Sequence, residues 1–111
     1  MDVTFKNAKL QKILESESNL KRKYGSLNGL KITCHLVYLR LISSLASVPS
    51  TKPFRCHQLS GDRDEQFAVD LVHPFRLIFE VSHEPIPRDK FGGIDKSRVT
   101  AIRIMEVIDY H

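Results

Sequence analysis

The 111 residues suffice for one domain around a single, thin hydrophobic core. Hydrophobic content of 41% and charged content of 27% are those of a soluble globular chain, and no apolar run approaches the ~20 residues of a membrane-spanning helix. The net charge is +4, and the two cysteines, Cys34 and Cys56, lie outside any Cys-x-x-Cys; with no signal segment, the chain reads as reduced and cytoplasmic, with no membrane partner.

Along the chain, Asp2–Phe5 is a short strand candidate. Ala8, Leu10, Ile13 and Leu14 then recur at helical spacing between Lys6, Lys9 and Lys12. The pattern weakens at Ser16–Asn19, resumes through Leu20 to Tyr24, and stops at Gly25. Ser26 or Asn28 is a candidate cap for the next helix. Leu30, Cys34, Val37, Leu41 and Leu45 step by three or four, and predict one apolar face of a long helix to about Ser47, with Cys34 buried on it. Pro49 and Pro53 close that helix.

The period then changes. Phe54–Leu59 reads as a strand and Ser60–Asp64 as a turn. Phe67, Val69 and Leu71 alternate with polar residues, as do Phe75, Leu77, Phe79 and Val81 after a His73-Pro74 turn. A polar connection over 83–98 leads to a last strand, Val99–Tyr110, with Ile102, Ile104 and Ile108 on one face. The expected architecture is a single α+β domain over 1–111: an N-terminal helical hairpin on one face of a four- to five-stranded antiparallel sheet.

Charge is divided between the halves. Residues 1–56 hold ten Lys or Arg and three Asp or Glu, and residues 57–111 hold seven and ten. A basic half beside a mildly acidic one suits a face made for phosphates, and solvated helix faces give the same count.

The five histidines have no metal-ligand spacing, and neither a phosphate-binding glycine loop nor a nucleophile elbow is present, so no metal or cofactor is expected. What remains is a set of polar groups on the sheet. Alternation places Asp109 and His111 on one face of the last strand and Tyr110 on the other. Arg76 points away from Phe75 and Leu77, and His57 precedes the Ser60–Asp64 turn. If these strands are neighbours, a cation and several proton-transfer groups converge. Taken singly, each residue also reads as an ordinary turn histidine, surface ion pair or frayed chain end.

At these residues the sequence resembles the HigB branch of the RelE/ParE toxin superfamily, the plasmid-maintenance killer proteins. The matching segments are His57-Gln-Leu-Ser-Gly-Asp-Arg-Asp64, Gln66-Phe-Ala-Val-Asp-Leu71, Phe75-Arg-Leu-Ile-Phe79 and Ile108-Asp-Tyr-His111. Arg22-Lys-Tyr-Gly25 and the connection from Pro85 to Asp95 look like a longer subgroup. The resemblance spans nearly the whole chain, although the helical half matches only in pattern.

It implies a RelE-like fold and the toxin of a type II toxin–antitoxin pair. Such a toxin cuts mRNA on the ribosome, without metal, by attack of the ribose 2′-OH on the adjacent phosphate. By motif, the catalytic residues it implies are His57, Arg76, Asp109, Tyr110 and His111, with Arg63 contacting RNA. His111 or Asp109 is the expected base, His57 the acid or its partner, and Arg76 the phosphate clamp; Tyr110 stacks on a base or orients the substrate if the chain end bends. Lys9, Lys12, Lys21, Arg22 and Lys23 are expected to dock on ribosomal RNA.

The implied partner is a helix-turn-helix antitoxin, through which the pair binds operator DNA. Two departures bear on activity: Ser60 stands where many relatives carry Lys, and Glu65 where Gly often follows the turn. A non-cleaving toxin of the gyrase-inhibiting ParE type and a degenerate member that only binds its antitoxin stay open. If His111 ends the chain, its α-carboxylate favours the imidazolium, so a C-terminal extension should change activity.

Overall fold

A computed structural model describes residues 1–109 of the chain. Tyr110 and His111, both assigned site roles from the sequence, lie outside the described residues.

Three helices fill the first half. The Asn7 side chain accepts the Leu10 N–H at 2.8 Å and starts α1 (Ala8–Leu14). Ser16 does the same for Asn19 at 3.2 Å and starts α2 (Glu17–Tyr24). The weak stretch at Ser16–Asn19 is therefore a second capped start. Glu17 in the first turn of α2 and Lys21, Arg22 and Lys23 in its last turn follow the helix dipole. Gly25, at φ +85°, ends α2 and begins α3 (Ser26–Leu41) with no loop between them.

The expected caps of α3 are not used. No side chain caps its first turn, and Asn28 lies buried inside the helix, where its Oδ1 accepts the Val72 N–H at 2.8 Å. α3 stops at Leu41, short of Ser47. The Ile42 N–H makes the last helical bond, to Tyr38, and Leu45–Ser47 forms a separate 3-10 turn. The Met1 amine donates to the Leu39 and Arg40 carbonyls at 3.1 Å each, and to that of Ile42.

The sheet holds β1 (Asp2–Phe5), β2 (His57–Gln58), β3 (Gln66–Asp70), β4 (Phe75–Val81) and β5 (Ala101–Asp109), in the order β1-β5-β4-β3-β2. Four strands run as an antiparallel meander, but β1 pairs parallel with β5, so the sheet is mixed rather than antiparallel. Parallel pairing needs a long crossover, and the whole helical layer lies between β1 and the rest of the sheet. β2 is shorter than expected. The Phe54 carbonyl still accepts the Asp70 N–H at 2.8 Å and its ring stacks on His35, with centroids 4.5 Å apart, but Arg55 turns the chain at φ +46° and interrupts the strand.

One sheet face carries the core. Phe67, Val69, Leu77, Phe79, Ile102 and Ile104 are fully buried there. They join Leu14, Leu20, Ile32, Leu36 and Leu39 of the helices in a single cluster.

The buried face of α3 is not the expected one. Ile32, His35, Leu36 and Leu39 face the sheet, whereas Leu30, Cys34, Val37 and Leu41 are exposed. The helix is apolar on two sides, and its core side is the one interrupted by Asn28, Gly29 and His35. Cys56 is the buried thiol instead, and burial pushes its pKa up to about 11. Among the described residues no helix is long and apolar enough to cross a membrane.

Candidate active site on the uncovered face of the sheet

Cross-strand partners share a face of a sheet, so the pairing register decides which polar residues meet. On β3 and β4, Asp70 lies opposite Arg76 and Ala68 opposite Ile78; on β2, His57 lies opposite Ala68. These residues occupy the face turned away from Phe67, Val69, Leu77 and Phe79. Among the described residues, the helices' buried apolar side chains all join the other face's cluster, which leaves this one without a helical cover. His57 and Arg76 thus share an uncovered surface, two strands and two residues apart, roughly 12 Å between Cα atoms by strand spacing and rise.

Charged side chains roof the apolar floor of this surface, where Ala68 and Ile78 are fully buried. Asp70 pairs with two arginines, Arg55 at 3.3 Å and Arg76 at 3.5 Å. Arg63 pairs with Glu106 at 2.6 Å and donates to the Gln66 side chain at 3.1 Å. Arg103 pairs with Glu80, its cross-strand neighbour, at 2.9 Å. Every cation named here is an arginine, whose planar fork matches a phosphate better than an ammonium does.

His57 has a defined tautomer. Its Nδ1 lies 2.8 Å from the Arg55 carbonyl oxygen, which can only accept. Nδ1 therefore carries the hydrogen, and in the neutral ring Nε2 is the proton acceptor. Arg55 contributes twice: its carbonyl orients His57 and its guanidinium meets Asp70. Beneath them, buried His35 donates from Nε2 to the Asp70 carbonyl at 2.8 Å. Burial depresses the His35 pKa, which keeps this ring neutral and in place.

The last strand departs from strict alternation. The register passes from Phe79–Ile104 to Ile78–Glu106, leaving Met105 as the extra residue of a β-bulge. Beyond the bulge the faces exchange: Ile108 pairs with Arg76, and Asp109 pairs with Phe75. Asp109 therefore lies on the helical side of the sheet, not beside Arg76, and Ile108 is not on the face of Ile102 and Ile104. Met105 resets the pattern, a change that alternation counted from Ile102 cannot register.

The helical cations are not at this site. Lys9, Lys12, Lys21, Arg22 and Lys23 are all exposed on the helical layer. α1, with Lys9 and Lys12, packs near β1, at the edge opposite β2. Tyr24 meets Phe75 edge-on at 6.3 Å, which brings the Lys21–Lys23 end of α2 to the same end of the sheet as Arg76, on its helical side.

The two departures around the turn have structural readings. Glu65 sits at φ +71°, the left-handed region that suits glycine. Its carboxylate meets Arg88 at 2.7 Å, which holds its pKa below the usual carboxylate value and balances its charge. Ser60 is extended ahead of a 3-10 turn at Gly61–Arg63, and its side chain caps nothing.

Asp70, Arg55 and His35 escaped the sequence reading. Asp70 and Arg76 stand equally far from His73 in one hairpin, so the β3–β4 turn pairs them. Arg55 precedes His57 by two residues, the spacing of one strand face. No sequence signal marks His35, whose role depends on the crossing of α3 over β3. Among the described residues no cluster of His, Cys, Asp and Glu is arranged to hold a metal ion. No protein-family model, curated protein or solved structure matches the chain.

Proposed function

We propose that this chain is the toxin of a type II toxin–antitoxin pair, a RelE/HigB-like endoribonuclease acting on mRNA in the ribosome. One observation supports it most. His57, with Nε2 as acceptor, shares an uncovered sheet face with the Arg55–Asp70–Arg76 group, the kind of surface on which a flexible RNA strand can lie.

RNA brings its own nucleophile. A base takes the 2′-OH proton, the 2′-oxygen attacks the adjacent phosphorus, and the 5′-oxygen leaves with a proton from an acid. The products are a 2′,3′-cyclic phosphate and a 5′-OH end. Arg76, aided by Arg55, neutralises the charge that develops on the phosphorane oxygens. Neutral His57 accepts a proton at Nε2, which suits the base, and its protonated form suits the acid of the second half of the reaction. Tyr110 and His111 enter this reading from the resemblance alone. Asp109, on the Phe75 side, is given no proton-transfer role. The cognate helix-turn-helix antitoxin, and operator DNA bound through it, belong to the same proposal.

A second reading is a relative that binds its antitoxin but cuts no RNA. It draws on Glu106 and Glu80, which already engage Arg63 and Arg103.

Induction of the chain without a C-terminal tag in a bacterial host, followed by primer extension on translated messages, separates the readings. The nuclease predicts growth arrest and new in-frame 5′-OH ends, both lost in His57→Ala and Arg76→Ala. Arrest without cuts points to a binding toxin, and no arrest from the folded chain points to the antitoxin-binding relative.

A further inference from the structure

α3 leaves a continuous apolar stripe in water. Leu27, Leu30, Val37 and Leu41 are 65%, 62%, 50% and 79% exposed, and exposed Cys34 lies between them. The spacing i, i+3, i+7, i+10, i+14 makes them one side of the helix. Beside the stripe runs a groove of about 710 Å3 between α2 and α3, floored by buried Leu14, Leu20 and Leu36. Four large apolar side chains in line on one helix exceed the scattered exposure of an ordinary surface.

The charge around the stripe selects its occupant. From Ser18 to Gly61 the chain has no Asp or Glu and seven Lys or Arg. Lys31 lies next to Leu30 on α3, and the groove's rim carries Lys21 and Arg40. Glu15 and Glu17 also line the rim, where Arg40 pairs with Glu15 at 2.7 Å, so the excess positive charge comes from Lys31 and from Arg22 and Lys23 at the end of α2. A second copy brings the same positive surface and is repelled. A concave groove beside a raised stripe matches the ridge of a helix, and a flat bilayer does not fill it.

We propose that the outer face of α3 docks an acidic amphipathic helix of a partner protein, apolar residues on the stripe and carboxylates against Lys21, Lys31 and the α2 end. This surface lies on the far side of the helical layer from the His57–Arg76 face, so its occupant leaves that face open. The proposal stands whether or not that face cuts RNA.

The test uses the full chain and two labelled helical peptides with the same leucine stripe, one flanked by glutamates and one by lysines. Fluorescence anisotropy should show the acidic peptide binding at least about tenfold more tightly, with the preference shrinking as salt rises. Leu30→Gln with Leu41→Gln, both at exposed positions, should weaken it by about tenfold or more. Binding should also slow alkylation of Cys34, because Cys56 is buried. Equal affinity for both peptides, no binding of either, or indifference to the double variant overturns the proposal. So does a dimer that the double variant dissolves, which assigns the face to a second copy. Binding to phosphatidylglycerol-containing vesicles that the double variant abolishes assigns it to a membrane and equally overturns the proposal.

Discussion

The outer side of α3 and the uncovered side of the sheet solve exposure in opposite ways. α3 leaves four large apolar residues in water, within a helical half that carries a net positive charge. The sheet exposes none among the described residues, burying Ala68 and Ile78 under arginine–carboxylate pairs. Unpaired apolar surface is unfavourable until something covers it, so α3 reads as a surface for a protein. Paired arginines are satisfied already, and a phosphate can exchange with the carboxylates at little net change, so the sheet reads as a surface for a polyanion. Substitutions should therefore separate the two: changes on the sheet should alter chemistry, and changes on α3 should alter association.

The largest effect is expected at Arg76. Arg76→Ala should slow mRNA cleavage by about 100- to 1,000-fold, the usual cost of removing one donor from a developing oxyanion. The melting temperature should stay close to that of the parent, because the side chain is partly exposed. Asp70→Asn should have a smaller effect, about tenfold, since it frees Arg55 and Arg76 from their shared anchor without removing either. If Asp70 only positions them, the loss falls on kcat more than on KM, and single-turnover kinetics reads the split.

His35 joins the two regions, lying on α3 and holding the β3 end. Its folded pKa is depressed below that of the unfolded chain, so the unfolded state binds the proton first. Its contribution to stability is full above the unfolded value, near 6.5 by reference histidines, and is lost as pH falls through the lower folded value. Urea titrations from neutral to mildly acidic pH should show a falling midpoint, and His35→Gln should flatten that fall. The smallest effect is expected from Leu41→Gln, which should change stability by no more than about 0.5 kcal/mol in urea titration, the usual range for an exposed site.

The sequence announces the element types well because β3 and β4 alternate cleanly and Gly25 punctuates the helices. It hides three things, each for a tertiary reason. The direction of β1 depends on which strand it meets at the end of the crossover. The buried side of α3 is obscured because both sides are apolar and the true core side carries Asn28, Gly29 and His35. The face of Asp109 depends on one extra residue, Met105, which is invisible until β4 sets the register. The candidate site was legible in part: His57 and Arg76 share a face as alternation implies, whereas Asp70 and Arg55 needed the pairing, and His35 needed the helix crossing.

The most direct test compares the two surfaces in one assay: single-turnover cleavage of ribosome-bound mRNA by the parent chain, Arg76→Ala and Leu41→Gln. Arg76→Ala is expected to lose about 100-fold or more of the rate while Leu41→Gln cuts as fast as the parent. A folded Arg76→Ala chain cutting at the parental rate, or a parent chain that leaves the message intact, would contradict it.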